Sequence, residues 1–101
     1  MNTQKISELG GKITFDDISH LNQAMEPSLL IDDLKEDLFQ ASFPLDQILD
    51  IGWYPEFCQD GHFRVLLISK SDWDAPVSCE NAKNWEELEE VLANTLNKIK
   101  I

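Results

Sequence analysis

The residues best suited to chemistry in this 101-residue chain are Cys58, Asp60 and His62, which lie within one short segment. A cysteine becomes a nucleophile when a neighbouring base takes its proton and a third group orients that base. His62 could act as the base and Asp60 as the orienting group, but nothing around them builds an oxyanion hole. We interpret them as a loop cysteine and a surface histidine beside a turn, and we expect no catalytic activity.

A metal or cofactor site is not expected either. Cys58, Asp60, His62 and Cys79 offer ligand atoms, but the sequence lacks the paired Cys-x-x-Cys and His-x-x-x-His spacings typical of zinc sites. Gly10-Gly11 alone does not form a phosphate-binding loop. The two cysteines are expected to remain free thiols in a reducing compartment.

The dominant signal of the sequence is its charge. Nineteen acids against eight lysines and arginines give a net charge of −11 and a pI of about 4.3. Such a charge repels phosphate backbones and anionic head groups, so we expect no binding to nucleic acid or membrane. It attracts cationic protein surfaces. The polar N-terminus and the lack of a membrane-length apolar run predict a cytoplasmic protein.

The acids are unevenly distributed along the chain. Residues 14–60 hold eleven acids and one base, Lys35. Pairs of opposite charges four residues apart would stabilise a helix, and this segment mostly lacks such pairs because it holds a single base. Four glutamates at the start of the last helix instead complement the helix dipole, so we interpret them as stabilisers. The segment is either a merely solubilising surface or a surface matched to Lys and Arg on a partner.

Hydrophobic periodicity in the first half of the chain predicts helices. Residues 1–9 form a brief helical turn or a loose end. Phe15, Ile18, Leu21 and Met25 recur at helical spacing, which predicts a helix over residues 15–25. A second helix opens at Pro27, carries Asp32, Asp33, Glu36 and Asp37 on its polar face, and ends at Pro44.

The second half of the chain predicts a β-hairpin followed by a helix. A strand from Asp46 stops at Pro55, Asp60-Gly61 makes a turn, and a central strand runs from His62 to Ser69. A short third strand lies around residues 77–80, and Asn84 caps the last helix. The fold class is α+β: one acidic domain over residues 1–101, with helices on a three- to four-stranded antiparallel sheet, a central hairpin and a C-terminal amphipathic helix.

One segment carries a family resemblance. Residues 45–76, LDQILDIGWYPEFCQDGHFRVLLISKSDWDAP, combine a strand running into Gly-Trp-Tyr-Pro, an Asp-Gly turn, an apolar strand and Asp-Trp-Asp-x-Pro. This run resembles the immunity proteins of contact-dependent growth inhibition and related polymorphic toxin systems. The resemblance implies a cytosolic antidote that binds the toxin domain delivered by a neighbouring cell.

Charge and resemblance together predict the partner and its binding residues. The partner is the cognate toxin C-terminal domain, expected to be a nuclease with a basic cleft, bound by a monomer in a 1:1 complex. The alternative partner is a housekeeping DNA- or RNA-binding protein, with this chain as an acidic adaptor or nucleic-acid mimic. The expected binding residues are acids and neighbouring aromatics: Asp33, Asp37, Asp50, Tyr54, Glu56, Asp60, Asp72, Trp73 and Asp74.

Overall fold

The computed structural model describes residues 1 and 3–101 and is an α+β fold. Its elements, in chain order, are helix α1 (Thr3–Glu8), strand β1 (Lys12–Asp16), a 3₁₀ helix (Pro27–Asp33), strands β2 (Phe39–Phe43), β3 (Gln47–Tyr54), β4 (His62–Ser69) and β5 (Ser78–Ala82), and helix α2 (Trp85–Leu96). Within this described part, neither helix has the length and apolar character needed to cross a lipid bilayer.

The five strands form one antiparallel sheet in the order β1-β2-β3-β4-β5. Each strand pairs with the next strand along the chain, and the β3–β4 hairpin keeps register over all eight residues of both strands. Alternate side chains of a strand point to opposite faces. In β2 this alternation appears as buried Phe39, Ala41 and Phe43 around half-buried Gln40 and Ser42.

The hydrophobic core lies on one face of the sheet, which we call the inner face. Leu49, Ile51 and Trp53 of β3 share this face with Phe63, Val65 and Leu67 of β4, to which they are paired. Ile6 of α1 and Leu88, Leu92 and Leu96 of α2 close the core over them. Both helices therefore lie on the inner side of the sheet.

The hairpin, its neighbouring strand and the last helix confirm the prediction for the second half of the chain. β5 begins one residue later than expected, and the predicted core residue Trp53 is 2% exposed. The sheet has five strands instead of the predicted three to four, because β1 and β2 lie where helices were expected.

The predicted helix over residues 15–25 is wrong. Residues up to Asp16 form β1, and the chain then turns because the Asp16 carboxylate accepts hydrogen bonds from the backbone N–H groups of Ile18 and Ser19. An aspartate that bonds its own backbone two or three residues ahead favours a turn over a helix. Ile18 and Leu21 reach the core from this turn region.

The predicted helix from Pro27 to Pro44 is also wrong. Only the 3₁₀ helix Pro27–Asp33 forms, with Leu30 non-helical at φ −114° and ψ 19°. If the chain continued as an α-helix, Asp32 would lie next to Glu36 and Asp33 next to Asp37 on the helix surface, because residues four apart are neighbours there. These two like-charged pairs would destabilise the helix. The chain becomes extended at Leu34 and enters β2.

The N-terminal cap of α2 gives a stability prediction. Asn84 Oδ1 accepts a hydrogen bond from the Glu87 backbone N–H at 2.8 Å, and Glu87 Oε1 accepts one from the Lys83 N–H at 3.1 Å. Asn84→Ala is expected to lower the free energy of unfolding by about 1 kcal/mol. Urea denaturation measures this loss, with Asn94→Ala on the exposed middle of α2 as the control. An equal effect of the two substitutions would show that the cap contributes nothing.

Candidate functional site

The face of the sheet opposite the core, which we call the outer face, carries side chains from all five strands. The strand registers place on it Lys12 and Phe15 of β1, Gln40 and Ser42 of β2, Ile48, Asp50, Gly52 and Tyr54 of β3, His62, Arg64, Leu66 and Ile68 of β4, and Cys79 and Asn81 of β5. None of these belongs to the hydrophobic cluster that joins the described helices to the sheet. The outer face is therefore the side of the sheet that no helix covers.

Two acids, Glu36 and Asp37, lie over this face because of a local arch in the backbone. The Trp53 N–H donates to the Lys35 carbonyl at 2.8 Å, and the Leu38 N–H donates to the Ile51 carbonyl at 3.0 Å. These bonds leave Glu36 and Asp37 opposite the single residue Gly52. A Cβ atom on Gly52 would stand 1.8 Å from the Glu36 carbonyl oxygen, so the arch can approach only a glycine.

Asp50 is the buried carboxylate of the outer face, with 8% of its surface exposed. Burial raises its pKa above the usual value of 3.8, the negative charge of Asp37 raises it further, and a hydrogen bond from the Gln40 side chain opposes both. Gln40 is itself held by Thr14, whose hydroxyl donates to Gln40 Oε1 at 3.4 Å. Thr14 lies at the β-bulge of β1, where the register shifts between Ile13 and Phe15.

Tyr54 and Arg64 complete the group at one end of the face. The Arg64 guanidinium carbon lies 4.1 Å from the centroid of the Tyr54 ring, a cation–π contact. Burial raises the pKa of Tyr54, and the charges of Asp50 and Glu36 raise it further while Arg64 opposes them. The Tyr54 side chain therefore lies within the electrostatic field of both the arch acids and Asp50.

We call Glu36, Asp37, Asp50 and Tyr54 the acidic patch. No ion pair among residues 1 and 3–101 involves any of its three carboxylates. Lys35, the one base among the acids of residues 14–60, is directed to Asp17, with Nζ 3.4 Å from Oδ2. The fold thus brings three carboxylates together on a face that no helix covers, beside Arg64, which is engaged with the Tyr54 ring, and directs Lys35 away from them.

The buried carboxylate gives a pH-dependent prediction. Asp50→Asn is expected to stabilise the protein by about 1 kcal/mol at pH 7, because the amide removes a desolvated charge. The pKa of Asp50 is higher in the folded than in the unfolded chain, so the folded protein holds more protons between the two values. The contribution of Asp50 to the free energy of unfolding of the wild type therefore falls as the pH rises through that interval.

Urea titrations of wild type and Asp50→Asn from about pH 3 to pH 7 measure this difference. The stability advantage of the variant should grow as the pH rises above about 3.8, the ordinary pKa of aspartate. Asp74→Asn, at an exposed loop position, is the control and should change the free energy of unfolding at pH 7 by less than about 0.5 kcal/mol. A variant less stable than the wild type at neutral pH would contradict the assignment of Asp50 as a destabilising charge.

The structure separates the predicted site residues into four places. Asp37, Asp50 and Tyr54 come together in the acidic patch, and Asp33 lies at the end of the 3₁₀ helix. Glu56 and Asp60 lie in the β3–β4 loop, whereas Asp72, Trp73 and Asp74 lie in the β4–β5 loop at the opposite end of β4. Eight-residue strands separate those two loops by about 25 Å. Trp73 is 46% exposed, which leaves its ring accessible to a partner.

The candidate nucleophile lies in the same β3–β4 loop. The Cys58 carbonyl accepts hydrogen bonds from the Trp53 indole N–H at 2.8 Å and from the Gly61 N–H at 2.9 Å. Residues 58–61 therefore form a tight turn that also holds the indole of the buried Trp53. Cys58 and Cys79 are free thiols. In the part of the chain that the structure describes, no three His, Cys, Asp or Glu residues are arranged to hold a metal ion.

Three residues of the outer face were not singled out from the sequence. Gln40 lies in a segment where a helix was predicted, and Thr14 lies just before the other predicted helix, so their contact across β1 and β2 could not be expected. Arg64 lies in the predicted hairpin, and the register that the structure gives to that hairpin pairs it with Gly52 and places it on the same face as Asp50 and Tyr54.

Comparison with known proteins finds no family model, no curated protein and no solved structure that matches this chain.

Proposed function

We propose that this protein binds a basic protein partner through its outer face, and that the partner is the toxin domain of a contact-dependent growth inhibition or related polymorphic toxin system. The protein neutralises the toxin by occupying its surface and performs no reaction of its own. The observation that carries the proposal is the acidic patch, three carboxylates without a paired cation on a sheet face that no helix covers.

The charge of the patch suits a nuclease partner. A nuclease cleft carries lysines and arginines that hold the phosphate backbone, and the carboxylates of an inhibitor can take the place of those phosphates. Complementary charge also raises the association rate and selects against acidic surfaces. The toxin assignment rests on the resemblance of residues 45–76, and the mode of binding rests on the patch.

The dimensions of the outer face are compatible with a specific interface. Two strands of about 26 Å and three of about 17 Å, spaced about 4.8 Å apart, give a surface of roughly 500 Å². A standard interface buries about 800 Å² on each partner. The outer face therefore supplies more than half of such an area, and the loop with Glu56 and Asp60 or the loop with Trp73 can supply the remainder.

The test is a calorimetric titration of the protein against the toxin domain encoded immediately upstream of its gene. We expect 1:1 binding, an affinity that falls steeply between about 50 and 500 mM salt, and loss of the toxin's activity in the complex. Removal of both cysteines, as Cys58→Ser/Cys79→Ser, should leave the affinity unchanged. Absence of binding would refute the toxin assignment, and binding indifferent to salt would refute charge matching.

A further inference from the structure

We infer that the partner makes a second contact on the rim of the sheet where the β2–β3 turn and the β4–β5 loop meet, and that there an arginine of the toxin domain stacks on the ring of Trp73. This inference rests on the proposed function and decides which of the two loops completes the interface. We call residues 44–46 and 70–77 the rim.

The two segments of the rim are joined and held by their backbone. The Lys70 N–H donates to the Asp46 carbonyl at 2.8 Å. The left-handed conformation is adopted by four residues of the rim, with φ between 56° and 64°: Leu45, Asp46, Lys70 and Ser71. Residues other than glycine adopt it at a cost in free energy, so the surrounding contacts must hold it. The rim therefore presents its side chains from a fixed backbone, which lowers the entropy lost on binding.

Three large apolar side chains of the rim are exposed. Leu45 is 64% exposed, Trp73 is 46% exposed and Val77 is 56% exposed. The rim adjoins the last pair of the outer face, because Ile48 and Ile68 each lie two residues from it along the chain. Exposed apolar groups at the border of a charged surface are typical of the anchor of an interface.

The β3–β4 loop is less suited to this contact because it turns towards the other side of the sheet. The Phe57 N–H donates to the Leu34 carbonyl at 2.9 Å, and Leu34 belongs to the core. Asp60 lines a cleft with Lys83 and Asn84 at the start of α2, which lies on the inner side. We therefore assign the remainder of the interface to the rim.

One partner can reach both the acidic patch and the rim. Asp50 lies four residues from Asp46 along the chain, which corresponds to about 13 Å of extended backbone. A standard interface covers about 800 Å² on each partner and is roughly 30 Å across. The rim therefore extends the outer face instead of forming a separate site.

The charge of the rim specifies the side chain that Trp73 binds. Asp72 and Asp74 flank Trp73 in the sequence, Asp46 lies on the adjacent turn, and Lys70 is the one base of the rim. No ion pair in the described part of the chain involves any of these three carboxylates. An indole ring binds a cation over its face, and an arginine both stacks on a ring and pairs with carboxylates. A basic toxin domain therefore suits the rim as well as the acidic patch.

The test compares two exposed aromatic side chains at opposite ends of β4, by calorimetric titration against the toxin domain encoded immediately upstream of the gene. Trp73→Ala should weaken binding at least about thirtyfold, as expected for a tryptophan that anchors an interface. Phe57→Ala, at a side chain of 49% exposure in the β3–β4 loop, is the control and should change the affinity less than about twofold. An unchanged affinity of Trp73→Ala, or an equal loss from Phe57→Ala, would overturn the inference.

Two further substitutions at Trp73 test the arginine. Trp73→Phe keeps an aromatic face and should weaken binding about threefold, whereas Trp73→Leu keeps only apolar bulk and should weaken it at least about tenfold. Equal losses would indicate an apolar socket in the partner and would refute the arginine assignment. If the wild type fails to bind the toxin domain, the proposed function and this contact fall together. If Glu36→Lys/Asp37→Lys loses the toxin domain while Trp73→Ala retains it, the proposed function stands and only the contact at the rim is refuted.

Discussion

Reversing the charge of the arch, with Glu36→Lys/Asp37→Lys, is expected to weaken binding of the basic toxin domain at least about a hundredfold at low salt. Both side chains are exposed, so the substitution changes the field of the outer face without removing core contacts. The variant replaces two charges that attract a basic partner with two that repel it, beside Asp50. This change lowers the association rate and raises the dissociation rate. Titration calorimetry and stopped-flow association rates, each measured over a range of salt, give the two effects.

The matched control for this prediction is Glu8→Lys/Glu90→Lys. It changes the net charge by the same amount at two exposed positions on α1 and α2, which lie on the inner side of the sheet. The control should lose only the long-range part of the attraction, and that part disappears above about 0.15 M salt, where the screening length is about 8 Å. Equal losses from both double variants would mean that net charge, and not the acidic patch, governs binding.

Gly52→Ala is expected to lower the free energy of unfolding by about 3 kcal/mol or more. The new Cβ would stand 1.8 Å from the Glu36 carbonyl oxygen and 2.7 Å from its carbonyl carbon. These are rigid backbone atoms, so the arch must lift and strain the bonds from Trp53 to Lys35 and from Leu38 to Ile51. Urea denaturation measures the loss, and the toxin-binding affinity should fall in the same variant because Glu36 and Asp37 move.

Asn81→Ala is the control for the glycine substitution. Asn81 lies on β5 in the same cross-strand row, paired with Arg64 as Gly52 is, and its side chain is exposed. Its replacement should change the stability by less than about 0.5 kcal/mol. A Gly52→Ala variant within about 1 kcal/mol of the wild type would show that the arch is not fixed by close approach to β3.

The second half of the fold could be predicted because its signals are local. Alternating side chains and a Pro55 stop define β3, and an asparagine followed three residues later by a glutamate defines the start of α2. The first half of the fold could not be predicted in this way. The apolar residues around Ile18 and Leu34 have helical spacing, but turns and extended chain bring them to the core instead of a helix. In this half of the chain, repulsion among the acids of residues 32–37 and the turn at Asp16 oppose the helices that the hydrophobic periodicity favours.

The acidic patch could be predicted only in part. Period-two alternation along β3 places Asp50 and Tyr54 on one face, and both were expected to bind the partner. The approach of Glu36 and Asp37 depends on an arch over Gly52, a contact between residues 16 positions apart that no local pattern encodes. Asp60 and Trp73 were both expected to bind the partner, and the eight residues of β4 place their loops at opposite ends of the sheet.

The meander order of the sheet has a consequence for the rate of folding. Strands β2 to β5 each pair with the next strand along the chain across short connections, so this part of the sheet can grow hairpin by hairpin, whereas β1 pairs only when the long segment between Asp16 and Phe39 has closed. Contacts between residues far apart in the sequence join the two ends of the chain to the rest, such as the Met1 amine to Glu89 at 3.4 Å and Gln47 to the Lys100 backbone at 2.8 Å. Neither contact involves a residue of the outer face, so the part of that face built by β2 to β5 can form before the termini of the chain have docked.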